Sequence, residues 1–453
     1  MIKLVPTLYK IFFIWLLFQF FAFNVATFSR GLDADWMQYV WLWKEWVIAA
    51  LIAISLFLIF SQGKWSNIFP NKTITLMKLL LFIAIATTVY LNYAIHGESR
   101  WVYALAFKYD FFWFVILFVW FHSSAFLEQE KRKSLIHRYG KILKFCLLWA
   151  LGRYLMVFIK PGILKLFGYN NFIFEWTAWG QAPAVYYTHI NQWLPRNSFL
   201  FERPTTRWFF LTAFFPLFYY QFLHQKPMSQ TWARWIIYGV NILITFSRAA
   251  WWAWVIELLF IWMLSKWLNK EGLKKFFLKI LVPVVLGLGL VGFLWYKQIF
   301  ARQYSNTGHI AMLKQGIDMI IEKPFTWRWP ATAGPGSHRN PEVPGFNPEN
   351  QFVQIIVEFG LIGFAPRFAL FLFLNLIWVV PFLKDDRIYN NSDQDTALLA
   401  MSLGLIGLSA SWMILHSFVD RMVVYPFMLL YWIVLTQYFA NKKNKETASE
   451  ISN

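Results

Sequence analysis

Runs of about 16 to 22 apolar residues recur from one end of this chain to the other, separated by charged clusters, and that is the length a helix needs to cross a ~30 Å hydrocarbon core. No water-soluble fold can hide so much apolar surface. The chain is 58% hydrophobic, 21% aromatic and 14% charged, against roughly 45–50% apolar and 25% charged in soluble domains. Twelve windows qualify as helices: 8–27, 42–61, 75–95, 102–122, 142–159, 207–223, 235–247, 249–266, 277–296, 352–383, 396–415 and 422–440. The predicted fold is an all-α polytopic membrane protein, a single membrane domain over residues 1–453. Two long loops interrupt it, 160–206 and 297–351. The first window is predicted to remain as a span, because its apolar stretch from Ile11 to Ala26 is long and aromatic and no small-residue cleavage site follows. The tenth exceeds one crossing and contains Gly360, Gly363 and Pro366, so it is predicted to start outside the bilayer or to kink within it. Cys146 is the one cysteine, which excludes a disulfide framework and a paired-cysteine metal site.

The net charge of +19 is informative only once its lysines and arginines are separated by side. With the N-terminus in the cytoplasm, the inner segments hold 17 of the 26 lysines, including Lys131, Lys133, Lys141 and Lys144, together with Arg132 and Arg138. Short loops rich in Lys and Arg stay inside and long loops cross regardless of charge, so both termini are predicted to be cytoplasmic and both long loops external. Arginine sorts the other way. Ten of 16, Arg30, Arg100, Arg196, Arg203, Arg207, Arg248, Arg302, Arg328, Arg339 and Arg421, fall on the outer side. Lys and Arg are equivalent as topology signals but not as ligands: the planar guanidinium grips phosphate oxygens in pairs and keeps its charge when partly desolvated. The set suits a phosphate or diphosphate at the outer membrane surface, although any single arginine could equally bind a lipid headgroup. A nucleic-acid partner is excluded, since no basic stripe with interleaved aromatics lies on a soluble domain.

Several local patterns carry chemistry. Asp33-Ala34-Asp35 lies in the first outer loop, where two carboxylates two apart can hold a divalent cation against phosphate oxygens; a solvated turn is the simpler reading. Three arginines, Arg196, Arg203 and Arg207, crowd the mouth of the sixth span. Ser247-Arg248 occupies the tight outer turn between spans seven and eight, where a charge needs a cavity or partner. His309 to Glu322 is amphipathic, with Ile310, Leu313, Ile317 and Ile320 on one face and Lys314, Asp318 and Glu322 on another, which predicts an interfacial helix. A Gly/Pro turn follows and carries His338 and Arg339. Asn347-Pro348-Glu349 then opens the tenth span with helix-start chemistry, Asn as cap and Pro in the first position. Trp176, Trp179, Tyr186, Tyr187 and Trp193 in the first long loop are placed to stack on sugar rings or to anchor at the interface.

The arginine in the stretch Arg196 to Pro204, the Ser247-Arg248 pair, the Pro324-to-Gly336 loop, and the Pro348-Glu349-Asn350-Gln351-Phe352 and Glu358-Phe359-Gly360-Leu361-Ile362-Gly363 blocks recur in that order in a known family. By this pattern, over roughly 190–365, and by its helix count, the chain resembles the bacterial O-antigen ligase and polymerase family. The resemblance implies a fold of about twelve helices with a large late outer loop. It implies a donor, a glycan on undecaprenyl diphosphate, and transfer of that glycan to an acceptor hydroxyl on the outer face of the cytoplasmic membrane. The acceptor is a glycan or glycolipid, and neither metal, nucleotide nor other cofactor is used. Diphosphate is already a good leaving group, so fixed arginines in a water-poor cavity can supply most of the catalysis.

The resemblance assigns the diphosphate to Arg196, Arg203 and Arg248. Ligases of the family carry a histidine just before the Asn of the loop-to-helix motif; this chain has Glu349 there, which favours polymerase over ligase. Glu349 and His338 are the two candidates for the base that activates the acceptor. Glu349 holds the matching position, but a helix N-terminus stabilises its carboxylate. His338 has an imidazole suited to proton transfer near neutrality. His309, Arg339 and Asn350 are secondary candidates. Two other readings stay open: a metal-dependent, lipid-phosphate-using glycosyltransferase built on Asp33 and Asp35, and a flippase or polysaccharide exporter whose path would use span residues such as Asp110, Arg153 and Glu257.

Overall fold

The computed structural model describes residues 4–12, 43–62, 72–96, 122–124, 126–159, short stretches between 169 and 195, 210–214, 237–245, 247–267, 303–325, 332–337, 346–348, 350–376, 393–412 and 423–437, with a few isolated positions besides. Its helices include α1 (Trp43–Ser61), α2 (Lys72–His96), α3 (Gln129–Ile159), α4 (Arg248–Trp267), α5 (Gln303–Glu322), the single turn α6 (Gly334–Ser337), α7 (Gln351–Leu376), α8 (Asp393–Trp412) and α9 (Val423–Gln437). Among the described residues the strands form three pairs, each strand two or three residues long, all in the first long loop. There β1 (Tyr169–Asn170) pairs with β4 (Val185–Tyr186), β2 (Glu175–Thr177) with β3 (Gly180–Ala182), and β5 (His189–Asn191) with β6 (Leu194–Pro195).

Among the described residues one helix, Gln351–Asn375, is long and apolar enough to cross a membrane by itself. Five shorter apolar helices accompany it: Trp46–Ser61, Ile74–Thr87, Ala250–Leu259, Ala400–Ser411 and Val423–Gln437. Each falls inside one of the windows read from the sequence, Ile74 alone preceding its window by one residue. The fourth window, 102–122, and the ninth, 277–296, lie almost wholly outside the described residues.

The bundle is organised around α9. Every residue from Val423 to Gln437 is buried, the pattern of a helix apolar all round and packed on all sides. Phe427 meets Phe214 edge-on at 5.7 Å, and Phe214 continues the aromatic contact to Phe210 at 4.7 Å and Tyr139 at 5.8 Å. The outer helices do the reverse. α1 exposes Trp46, Phe57 and Phe60, and α2 exposes Leu76, Leu79, Phe82 and Ile83; large apolar rows of this kind are stable only against lipid or another protein surface.

Polar contacts pin the end of α9. Ser124 Oγ and Thr436 Oγ1 share a hydrogen bond of 2.5 Å, and Tyr9 and Ser123 share one of 2.8 Å. Arg132, counted in the sequence among the inner-loop charges, is buried. Its Nε donates to Gln437 Oε1 at 2.8 Å and its Nη1 to the carbonyls of Leu127 at 2.6 Å and Ser124 at 3.3 Å. Burial lowers the Arg132 guanidinium's pKa from its ordinary value. The side chain therefore stitches α3, the 122–127 segment and α9 together, a role that charge counting could not see.

Glycines set the closest helix contacts. A Cβ on Gly404 of α8 would stand 2.1 Å from the backbone oxygen of Ala213, and one on Gly407 would stand 1.9 Å from Glu257 Oε1 and 2.8 Å from Thr212 Cγ2. Three residues apart, the two glycines give α8 a flat face that the Ala213 backbone approaches at Gly404 and the Glu257 and Thr212 side chains approach at Gly407. A backbone oxygen cannot swing away as a side chain can, so overpacking here costs about 1–3 kcal/mol. Gly404→Ala is expected to lower the thermal unfolding midpoint of the detergent-solubilised protein. Gly239→Ala, whose new methyl would meet only Trp254 at 3.5 Å, is expected to leave the midpoint unchanged; equal midpoints for both variants would refute the close contact.

Candidate active site

α7 begins later than its sequence suggests. Its first helical residue is Gln351, and Asn350 is the cap: Asn350 Oδ1 accepts the Val353 N–H at 3.1 Å and the Asn350 carbonyl accepts the Gln354 N–H at 2.9 Å. The expected cap at Asn347, with Pro348 and Glu349 in the first turn, is thereby corrected by one turn. Asn350 wins because its side chain reaches the third amide of the helix, the geometry that satisfies an otherwise orphaned donor. Pro348 precedes the helix and is buried against α5.

A turn lies across this helix start, held by Glu358. The Glu358 side chain is 1% exposed; Oε1 accepts the Ala333 N–H at 3.2 Å, and Oε2 accepts from Gln354 Nε2, one helical turn earlier, at 3.2 Å. Gly334 follows with a left-handed φ of 65°. A Cβ there would lie 2.2 Å from Gln354 Oε1, so both conformation and space require glycine. Ser337 closes the structure. Its hydroxyl lies 2.7 Å from the carbonyls of Gly334 and Phe346 and accepts the Phe346 N–H at 2.9 Å. Residues 337 and 346 are thus tied together at the base of the segment that begins with His338 and Arg339.

Beneath the turn, Ala333, Phe346 and Val357 form a small apolar core with Met319 and Ile320 of α5 and Val353 of α7. α5 reaches α7 at Gly316, where a Cβ would stand 2.6 Å from Val353 Cγ1 and 3.3 Å from Pro348 Cβ. The expected kink is present, at Gly360, whose φ of 60° and ψ of 179° break the helix. The Leu361 N–H donates instead to Pro324 O at 2.9 Å, just past the end of α5. Arg367, buried inside the span, donates to the Gly363 carbonyl at 2.5 Å and holds its guanidinium carbon 3.9 Å from the centre of the Phe359 ring. The sequence signal for it was an arginine in an apolar run; it braces the kink from below. Glu358 stood out only as part of the Glu358-to-Gly363 block and Ser337 carried no signal, and what a buried acid or hydroxyl does at a turn shows only once its partner is known.

The sequence-predicted residues divide as follows. Asn350 is placed, as the cap. His309 is placed on α5 and is exposed. Arg248 is the first residue of α4, after Ser247, whose hydroxyl accepts the Ala250 N–H at 3.5 Å and whose carbonyl accepts the Trp251 N–H at 3.1 Å; Ser247 is the cap and Arg248 opens the helix. The Arg248 side chain lies outside the described residues, as do Arg196, Arg203, His338, Arg339, Glu349, Asp33 and Asp35. The turn, Asn350 and α5 come together on α7.

Residues 235–366 match the family model described as O-antigen ligase. The match supports membership of the O-antigen ligase family. No curated relative matches the chain. The O-antigen ligase segment contains the Ser247 cap, α4, α5, the Gly334 turn, Asn350, Glu358 and the Gly360 kink, so the family pattern and the hydrogen-bonded core just described coincide. It does not reach Arg196 or Arg203. The matched segment suggests glycosyl transfer of the ligase or polymerase type.

Losing both Glu358 hydrogen bonds removes about 1–3 kcal/mol of local stability. Glu358→Ala is therefore expected to speed amide hydrogen exchange across 332–337 about tenfold while exchange in α9 stays constant. Unchanged exchange in the turn would contradict the assigned role of Glu358.

Proposed function

We propose that this protein transfers a glycan from undecaprenyl diphosphate to an acceptor hydroxyl on the outer face of the cytoplasmic membrane, as a polymerase in preference to a ligase. In this reading about twelve helices span the membrane, both termini are cytoplasmic and the loops 160–206 and 297–351 are external. The observation that carries the reading is the Glu358-held turn: residues adjoining both candidate bases in sequence, Ser337 before His338 and Asn350 after Glu349, belong to one hydrogen-bonded unit on the start of α7, inside the segment that matches the family.

The chemistry has three parts. The base, Glu349 or His338, takes the proton from the acceptor hydroxyl. The acceptor oxygen forms a bond to the anomeric carbon as the bond from that carbon to the diphosphate oxygen breaks. The electron pair leaves with undecaprenyl diphosphate, and Arg196, Arg203 and Arg248 neutralise the charge that develops on it. Arg248 opens α4 directly after its cap, where backbone N–H groups at the helix start add to the positive field.

Arg248→Lys keeps the charge and removes the bidentate fork. The variant is expected to insert and fold normally yet lose at least 100-fold in transfer, so that cells relying on it accumulate the undecaprenyl-diphosphate-linked glycan, measured by mass spectrometry of the lipid extract. Near-normal turnover with no accumulation would sink the diphosphate assignment.

A further inference from the structure

α5 carries more apolar surface than its protein neighbours use. Its inward side, Gly316, Met319 and Ile320, is occupied by Phe346, Pro348, Val353 and the turn's small core. A second apolar row faces outwards: Ile310 is 66% exposed, Ile317 43% and Ile321 70%, with Phe325 beyond the helix end at 62%. At about 100° per residue the three isoleucines fall within about 40° of one another. Lys314 borders the row, and Asp318 and Glu322 occupy the next face round. The sequence pattern grouped Ile320 with Ile310 and Ile317 on one apolar face; packing takes Ile320 inwards, and Ile321 joins the outward row.

The row does not end at Phe325. The hydrogen bond from Leu361 N–H to Pro324 O sets this end of α5 against α7 just past its kink. From there α7 exposes Leu361 and then Ile362, Ala365, Ala369 and Leu372, these last four spaced three or four residues apart, without a charge among them, which is the stripe that a spanning helix turns to lipid. The two rows meet at one point and form one apolar surface, edged along α5 by Lys314, Asp318 and Glu322.

We infer that the occupant of this surface is the bilayer itself: α5 lies in the membrane–water interface with Ile310, Ile317 and Ile321 sunk among the acyl chains, its charged face in water and its inner face on α7. Continuity with the lipid-facing stripe of α7 distinguishes lipid from a soluble partner, which would have to cover part of a spanning helix as well. The arrangement agrees with the behaviour of amphipathic helices that bury one side to about 5–10 Å below the headgroups. Because Met319 and Ile320 also support Ala333 and Phe346, α5 fixes the Gly334 turn at headgroup depth, where a lipid-linked diphosphate is presented. The inference rests on the membrane reading of the chain and not on glycosyl transfer.

Single cysteines at Ile317, Ile321, Asp318 and Glu322 of the full chain, spin-labelled in nanodiscs of phosphatidylethanolamine and phosphatidylglycerol, test it without reference to activity. Cys146 is buried, 1% exposed, and the unsubstituted protein measures any label it takes. The expected result is an oxygen-to-nickel-chelate accessibility ratio several-fold higher at Ile317→Cys and Ile321→Cys than at Asp318→Cys and Glu322→Cys. Equal ratios at all four positions would overturn the inference. So would low accessibility to both reagents at 317 and 321, the result expected if a protein surface or a second copy covers the row.

Discussion

The carboxyl of Glu358 is the point through which the outer part of this structure is organised. It accepts one hydrogen bond from the backbone of a turn and one from its own helix, and those two contacts fix the turn to α7. A buried carboxyl that lost these partners would be far costlier than the bonds are worth, because desolvation is felt in full once a partner is missing. The turn is held by the same economy throughout: Gly334 is the residue that fits beside Gln354, and Ser337 uses one hydroxyl to satisfy groups on both sides of the segment it closes. Two residues further along α7 the helix breaks at Gly360, and the amide it frees is satisfied by Pro324. Thus α5, the turn and α7 form one unit in which each departure from regular helix is met by a specific partner.

This unit stands on a bundle of a different character. Around α9 the contacts are aromatic and close, Gly404 of α8 lets the Ala213 backbone approach and Gly407 leaves room for Glu257 and Thr212, and large apolar side chains on α1 and α2 face outwards. Polar groups are buried where they tie elements together, as Arg132 does with Gln437 and the carbonyls of Ser124 and Leu127. A rigid bundle below and a hydrogen-bonded cap above suit chemistry whose main demand is fixed charge and fixed geometry, since preorganised groups need not reorganise as the leaving group departs.

Much of the helical layout was legible because apolar run length is a strong signal: α1, α2, α4, α8 and α9 each lie within two or three residues of a predicted window. The kink was legible too, from Gly360 inside an apolar run. What failed locally failed for identifiable reasons. Asn347 and Asn350 are both good caps by composition, and only the backbone path decides which side chain reaches a free amide. Ile320 and Ile321 are both apolar, and the choice between them depends on where the cluster of Ala333, Phe346 and Val357 comes back against α5. Arg132 read as one more inner-loop charge because its partner, Gln437, is over 300 residues away. The candidate site was legible as a region that overlaps the family match over 235–366, while Glu358 became visible as the organiser of the turn only through Ala333 and Gln354.

The central claim is that this chain itself moves a glycan from a lipid diphosphate to a hydroxyl, using arginines in place of a metal. Purified protein in detergent, supplied with an undecaprenyl-diphosphate-linked glycan and an acceptor in excess EDTA, measures that directly by the appearance of lengthened or transferred product and free undecaprenyl diphosphate. The account predicts product at the same rate with and without the chelator. Loss of product in EDTA, restored by magnesium or manganese, or no product from active membranes' purified protein under any condition, would contradict it.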